Sequence, residues 1–278
     1  MIMTEEKAKI LKKNAEITAI DAFRISTVTG KTPALTESKF GGIPYWEHSK
    51  DYPLSSKGEK LVLLAQINFA ELPENDIFPK EGLLQFFVAL DDVYGAEFSA
   101  ADIQKDFRVV FHKTIDPAVT AESLTDLQIP TTVDGEDIGF PIQREMAIAF
   151  EKSVISMGVT DYRYMDKIRE AADLAGETRP EGDDAYDYLK GSEYDRETKN
   201  TGHWLLGYPY FTQEDPRSYS EELRRFDTML LQIDSEFSRE NPDYEIMWGD
   251  AGVANFFINK EALRRGDFSE IMYTWDCG

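Results

Sequence analysis

The stretch Met229–Ile258, MLLQIDSEFSRENPDYEIMWGDAGVANFFI, has a counterpart earlier in the chain. Leu63–Val88 reads LLAQINFAELPENDIFPKEGLLQFFV, so Gln66 matches Gln232 inside an apolar run, and GLLQFFV matches GVANFFI. Short apolar runs rich in aromatic and β-branched residues are typical of strands that are buried on both faces. Glycine and proline between the runs predict loops. Each copy is therefore predicted to form a strand–loop–strand unit.

Two further matches extend this similarity in both directions. GIPYW at 42–46 corresponds to GYPYF at 207–211, and Asp106-Phe107 corresponds to Asp267-Phe268, each pair opening an apolar strand. All four matches occur in the same order along the chain, which favours an internal duplication.

The predicted fold is α+β and predominantly antiparallel β, with two pseudo-symmetric halves and peripheral helices. We expect residues 1–278 to form a single globular domain, because no low-complexity linker separates the halves. The repeat units span approximately 42–113 and 207–278, with an intervening segment 114–206. Apolar residues at helical spacing predict helices over Thr4–Ile20 and Tyr164–Ala175. A further, short helix is predicted over Lys260–Arg265.

Charge is the strongest compositional signal. The chain has 52 acidic and 30 basic residues, a formal net charge of −22. Nucleic acid and anionic membrane surfaces are disfavoured as partners, because both need a basic footprint. A basic protein partner is compatible with this charge, and the alternative is an acidic surface that only keeps the protein in solution. Acids concentrate in Asp116–Asp137 and Asp173–Glu197, which we expect to be solvated loops.

The remaining composition predicts a cytoplasmic protein without a cofactor. Cys277 is the only cysteine, which excludes an internal disulfide. No signal-peptide pattern and no apolar run long enough for a membrane span is found, so no membrane partner is expected. The three histidines are far apart in sequence, and no metal-binding motif is present. We therefore predict no metal site and no cofactor.

Gln66 and Gln232 are the first candidate site residues. Each places an amide in a run that otherwise predicts a buried strand, and a buried amide must find hydrogen-bond partners. The two amides either bond loop backbone or line a central cleft between the halves. In both cases, a shared pleat would give them equivalent environments.

Five more candidates lie in loops, where functional residues concentrate. Gln213, Asp215 and Arg217 follow the aromatic turn of the second copy, and Trp248 and Asp250 lie in a predicted hairpin loop. One interpretation is structural: Asp215 caps a turn and Arg217 pairs with a nearby acid. The other is that these residues line a binding cleft together with the two glutamines.

Several long strings carry a resemblance to a known family. KFGGIPYW, LLAQINFAELP, GLLQFFVALDDVYG, GYPYFTQEDPR, LLQID, IMWGDAGVANFFI and YTWDCG are similar to the YwqG-like family of uncharacterised bacterial proteins, in the same order from Lys39 to Gly278. The resemblance implies a β-rich tandem duplication. It also implies an immunity-like role, because some relatives neighbour secreted-toxin systems.

Two functional hypotheses remain open at this point. The first is a cytosolic binding protein whose acidic surface engages a basic protein partner. The second is an enzyme or small-molecule binder that uses a cleft between the halves. The sequence assigns no catalytic residue, substrate or oligomeric state.

Overall fold

The fold is described by a computed structural model over residues 4–131, 139–182, 188, 200–237 and 244–278. Three helices lie within these ranges: α1 Glu5–Thr18, α2 Tyr164–Ala175 and α3 Lys260–Arg264. Twelve strands lie within them: β1 Ile20–Thr27, β2 Lys39–Phe40, β3 Val62–Asn68, β4 Leu83–Val88, β5 Phe107–His112, β6 Met146–Ile155, β7 His203–Leu205, β8 Thr228–Asp234, β9 Glu236–Phe237, β10 Tyr244–Ile246, β11 Val253–Ile258 and β12 Met272–Asp276.

Ten of these strands form one sheet in the order β12-β11-β8-β7-β1-β6-β2-β3-β4-β5, and β9 pairs with β10 separately. All the paired strands are antiparallel. The strands β4 and β11 are buried along their whole length, as their continuous apolar sequences predict. The prediction of an α+β fold with mainly antiparallel strands is confirmed.

The strand order is symmetric about its centre. From one edge it reads β5-β4-β3-β2-β6, and from the other β12-β11-β8-β7-β1. The central strands β1 and β6 pair with each other, and each also pairs with a short strand from the other half of the chain, β1 with β7 and β6 with β2. Phe23 of β1 lies opposite Leu205, and Met146 of β6 lies opposite Phe40. The correspondence therefore extends beyond the predicted repeat units to include β1, β2, β6 and β7.

The two halves also share an irregularity. In the β3–β4 ladder the register shifts between Leu63 and Ala65, so Leu64 has no opposite residue. In the β8–β11 ladder the same happens at Leu230, which lies between the paired residues Met229 and Leu231. A bulge of this kind changes strand direction and twist locally. Matching bulges at matching positions support the duplication hypothesis.

The sheet curls until its two ends approach each other. Phe107 on β5 and Tyr273 on β12, at opposite edges of the strand order, have ring centroids 5.2 Å apart. Inside the curl, Phe86 and Phe256 occupy corresponding positions in the two copies and pack edge to face at 4.9 Å. Residues from both halves thus contribute to one apolar core.

The helices α1 and α2 pack against each other through a second apolar cluster that includes Ile10, Leu11 and Ile168. The hydroxyl of Thr4 caps α1 by accepting from the N–H of Lys7 at 3.2 Å. Gly176 ends α2 with φ +70°, a conformation that glycine adopts without strain. The helices therefore lie at the periphery, and none in the described ranges is long and apolar enough to cross a bilayer.

The two acidic segments are described only in part. Residues 132–137 of Asp116–Asp137 lie outside the described residues, as do residues 183–187 and 189–197 of Asp173–Glu197. The prediction that both segments are solvated loops stays a prediction for those residues.

Candidate functional site

Gln66 and Gln232 occupy equivalent buried positions. The Oε1 atom of Gln66 accepts from the backbone N–H of Tyr45 at 3.0 Å, and that of Gln232 accepts from Tyr210 at 2.7 Å. Each Nε2 donates to two loop carbonyls, all at 2.8 Å. Both side chains are fully buried. The predicted equivalence of their environments is confirmed, and their bonds fix each aromatic turn to the sheet.

A buried histidine extends the first of these networks. Nε2 of His112 lies 2.9 Å from Oε1 of Gln85, whose Nε2 donates to Gln66. Because that amide oxygen can only accept, His112 carries its proton on Nε2, and Nδ1 accepts from Lys50 at 3.2 Å. Burial and the nearby Lys50 charge lower the pKa of His112 to about 4, although Glu47 opposes the shift. The ring is therefore neutral at physiological pH.

This network predicts a pH dependence of stability. Between pH 6.5 and about 4, His112 is protonated in the unfolded chain and neutral in the folded protein. The free energy of unfolding therefore falls as the pH falls through this range. The full effect of the shift is about 3 kcal/mol. In chemical denaturation across this range, His112→Gln should show a shallower fall than the parent. The control His48→Gln, at an exposed histidine, should keep the parental slope, and equal slopes for all three proteins would contradict the prediction.

Asp215 and Arg217 are brought together, in the protein interior. Nε and Nη2 of Arg217 donate to the two carboxylate oxygens of Asp215 at 2.9 and 2.7 Å, and both residues are buried. A second pair with the same geometry lies beside it: Arg163 donates to Asp161 at 2.8 and 2.7 Å. Nη2 of Arg217 is 3.6 Å from the Asp161 carboxylate, which links the two pairs.

The linked pairs, named here the Asp–Arg cluster, have a repeated sequence signature. Both pairs have the form Asp-x-Arg, in which the arginine turns back onto the carboxylate two residues earlier. Burial disfavours the charge of Asp161, but hydrogen bonds and attraction from Arg163, with a contribution from Arg217, lower the pKa of Asp161 below its usual range. The sequence interpretation missed Asp161 and Arg163, although the second Asp-x-Arg was a usable signal.

The other three candidates lie around the C-terminal strand. Trp248 is fully buried, and its ring centroid lies 5.4 Å from that of Tyr94 and 6.3 Å from that of Trp275. Asp250 is exposed, and its carbonyl accepts from the N–H of Gly278 at 3.2 Å. The exposed Gln213 donates from Nε2 to the carbonyl of Cys277 at 2.7 Å. Each of these three residues therefore contacts one of residues 275–278, while Asp215, Arg217 and the two glutamines make the buried hydrogen bonds described above.

Exposed apolar side chains gather beside this region, on the loop between β4 and β5. Leu90 is 44% exposed, Val93 38% and Phe98 57%. Trp275 joins them, because its indole N–H donates to the carbonyl of Val93 at 2.8 Å and its ring centroid lies 6.1 Å from that of Phe98. Exposed apolar side chains on one loop, with Phe98 packed beside a partly exposed tryptophan, are a candidate interaction surface.

Acidic residues border these side chains. Residues 89–106 contain five acids and one base. Asp92 and Glu97 are exposed next to Val93 and Phe98, while Asp91 accepts from two N–H groups of its own turn. The loop is anchored to the sheet where Tyr273 N–H donates to the carbonyl of Ala101 at 2.8 Å. We name this site the apolar–acidic surface, consisting of Leu90, Asp91, Asp92, Val93, Glu97, Phe98 and Trp275.

No group of three or more histidine, cysteine, aspartate or glutamate side chains within the described ranges is placed to hold a metal ion.

Comparison with known proteins supplies a family. A family model described as "Domain of unknown function (DUF1963)" matches residues 38–277, which is most of the chain and nearly the stretch that carried the sequence resemblance. No match is found among curated proteins. The chain therefore belongs to the DUF1963 family.

Proposed function

We propose that this chain is a YwqG-like binding protein of the bacterial cytoplasm, which engages a basic protein partner in an immunity-like role. The observation that carries the proposal is the apolar–acidic surface, where exposed Leu90, Val93 and Phe98 lie on an anchored loop beside three carboxylates, Asp91, Asp92 and Glu97, that form no ion pair within the described ranges. The net charge of −22 adds a long-range attraction for a cationic protein.

The two kinds of side chain have different roles in this proposal. Burial of the apolar groups supplies affinity, since aromatic and aliphatic anchors dominate most protein interfaces. The surrounding carboxylates speed encounter and select a basic partner, an effect that salt screens. A partner face with apolar side chains encircled by Lys or Arg therefore fits this surface best.

The proposal is tested with a protein captured from the cytosol by the full chain, then identified, purified and titrated. We expect a basic protein whose association rate falls as ionic strength rises. Phe98→Ser should weaken binding about tenfold, mainly through faster dissociation, because an anchor is removed. The double variant Asp92→Asn/Glu97→Gln should slow association and flatten its salt dependence.

Leu174→Ser serves as a matched control, because Leu174 is 60% exposed on α2 and lies outside the apolar–acidic surface. Its affinity should equal that of the parent. Capture alone does not support the proposal. An acidic or neutral partner, or a partner that binds the Phe98→Ser and Asp92→Asn/Glu97→Gln variants as tightly and as fast as the parent, would overturn it.

A further inference from the structure

An open cleft lies between the two halves, away from the apolar–acidic surface. The first half contributes β1 residues and the loop residues Asp76 and Ile77, and the second half contributes Leu206–Tyr208 and α3. Its volume is about 580 Å³, in the range of small-molecule sites. A second cavity of about 600 Å³ is also lined by Asp21, Asp76 and Ile77, so the two cavities are adjacent.

The corresponding position in the other half is bridged by direct contacts between residues 143–144 and Glu245. The strands β1 and β6 correspond, with Phe23 equivalent to Met146. Asp21, two residues before Phe23, is therefore equivalent to Arg144, two residues before Met146. Arg144 forms an ion pair with Glu245 at 2.7 Å, and the N–H of Gln143 donates to the carbonyl of Glu245 at 3.2 Å. On the side of the cleft, the segment that precedes β1 is the helix α1, and it packs on α2. The two halves therefore differ at this position, and the cleft lies at the position of Asp21.

Charged side chains of both signs line the cleft. Its acids are Asp21, Asp76 and Asp227, and its bases are Arg163, Lys260 and Arg264. Asp21 already forms an ion pair with Lys152 at 2.8 Å, Arg163 pairs with Asp161, and Arg264 pairs with Glu261. Within the described residues, neither the Asp76 carboxylate nor the Lys260 ammonium has a side-chain hydrogen bond or an ion pair. Among the described residues, one carboxylate and one ammonium without a hydrogen-bonded or ion-paired partner therefore line the same cavity, and Lys152 attracts the Asp76 carboxylate electrostatically.

Arg163 connects the cleft to the Asp–Arg cluster. Its Nε and Nη2 atoms are held by Asp161, and Nη1 donates to the carbonyl of Asp227 at 3.2 Å. These three bonds fix the guanidinium plane at the cleft wall before any ligand arrives. Apolar side chains of Ile77, Leu206 and Leu263 complete the lining.

We propose that this cleft binds a zwitterionic small molecule, an apolar amino acid or dipeptide with a free amine and a free carboxylate. Lys260 and Arg163 receive the carboxylate, Asp76 receives the ammonium, and Ile77 contacts the aliphatic part. A ligand with net negative charge is disfavoured, because the protein carries −22 and its field repels anions. A zwitterion presents both charges without that repulsion.

The test uses isothermal titration of the full chain with L-leucine and glycyl-L-leucine, and with their N-acetylated and C-amidated forms. At least one zwitterion should bind, and capping either end should weaken binding about tenfold or more, the loss expected for one charge-assisted contact. Lys260→Gln should weaken binding of the zwitterion and leave that of the C-amide unchanged. Asp76→Asn should weaken binding of the zwitterion and leave that of the N-acetyl form unchanged.

Lys57→Gln is the control, at an exposed lysine in a different loop, and should bind as the parent does. Since Lys260 and Asp76 are exposed, both variants should unfold at the parental denaturant midpoint. Absence of binding by either zwitterion at millimolar concentration, tighter binding of an acetylated form, or parental affinity in both variants would overturn the proposal. Phe98→Ser should leave this binding unchanged, so failure here is distinguishable from failure of the partner proposal.

Discussion

Replacing Arg217 with methionine is expected to destabilise the protein by about 3–5 kcal/mol, because it leaves a buried carboxylate without its counterion. Arg217 is fully buried and makes both of its paired hydrogen bonds to Asp215, which is itself 2% exposed. It also donates to the carbonyl of Phe226 at 3.1 Å and stacks over the ring of Phe257 at 4.2 Å. Methionine fills much of the volume and replaces none of these polar contacts.

Equilibrium denaturation in urea measures this loss. Arg264→Met is the matched control, since the Arg264–Glu261 pair is exposed and such pairs contribute little. The double variant Arg217→Met/Asp215→Asn should recover part of the loss, because it removes the uncompensated charge. A loss for Arg217→Met as small as that for Arg264→Met would show that the Asp–Arg cluster does not hold this part of the fold.

Truncating the central aromatic pair is expected to have an effect of similar size. Phe86 and Phe256 are fully buried, and each Phe→Ala change should lower the free energy of unfolding by about 3–5 kcal/mol. Their rings are in contact, so the double variant should lose less than the sum of the single variants, by about 0.5–1.5 kcal/mol. Denaturant midpoints with a constant m-value measure both quantities.

Phe87 and Phe257 provide the comparison pair. They are equally buried, but they pack in separate clusters on the outer side of the sheet. Each single truncation should cost about as much as at the central pair, while their double variant should be additive. Phe98→Ala, at an exposed side chain, should change stability by no more than about 0.5 kcal/mol. Additivity at Phe86 and Phe256 would contradict a shared core between the halves.

Much of the fold could be predicted because its strands and helices have recognisable local sequence patterns. The repeated apolar runs placed β3, β4, β8 and β11, and helical spacing placed α1 and α2 within a few residues. The buried amides were detectable because a glutamine inside an apolar strand needs backbone partners. The pairing of β1 with β6 was not predictable in this way, since contacts between the first strands of the two halves leave no pattern in either strand alone.

The site was harder to predict because its parts meet only in three dimensions. Asp215 and Arg217 were selected as loop residues, yet their burial depends on Asp161 and Arg163 from a segment far away in sequence. The apolar–acidic surface lies in a loop whose sequence resembles many solvated turns. Its exposed Phe98 is distinctive only when Trp275, from the last strand, is seen beside it.

Hydrogen exchange of the full chain, with and without its captured and purified partner, tests most directly the claim that a basic protein docks on the apolar–acidic surface. We expect slower exchange on binding in two segments, residues 89–106 and 272–278, because they carry the exposed apolar groups and the strand that supports them. Exchange in α1 and α2 should be unchanged. Protection confined to those helices, with residues 89–106 exchanging as in the free protein, would contradict docking on the apolar–acidic surface.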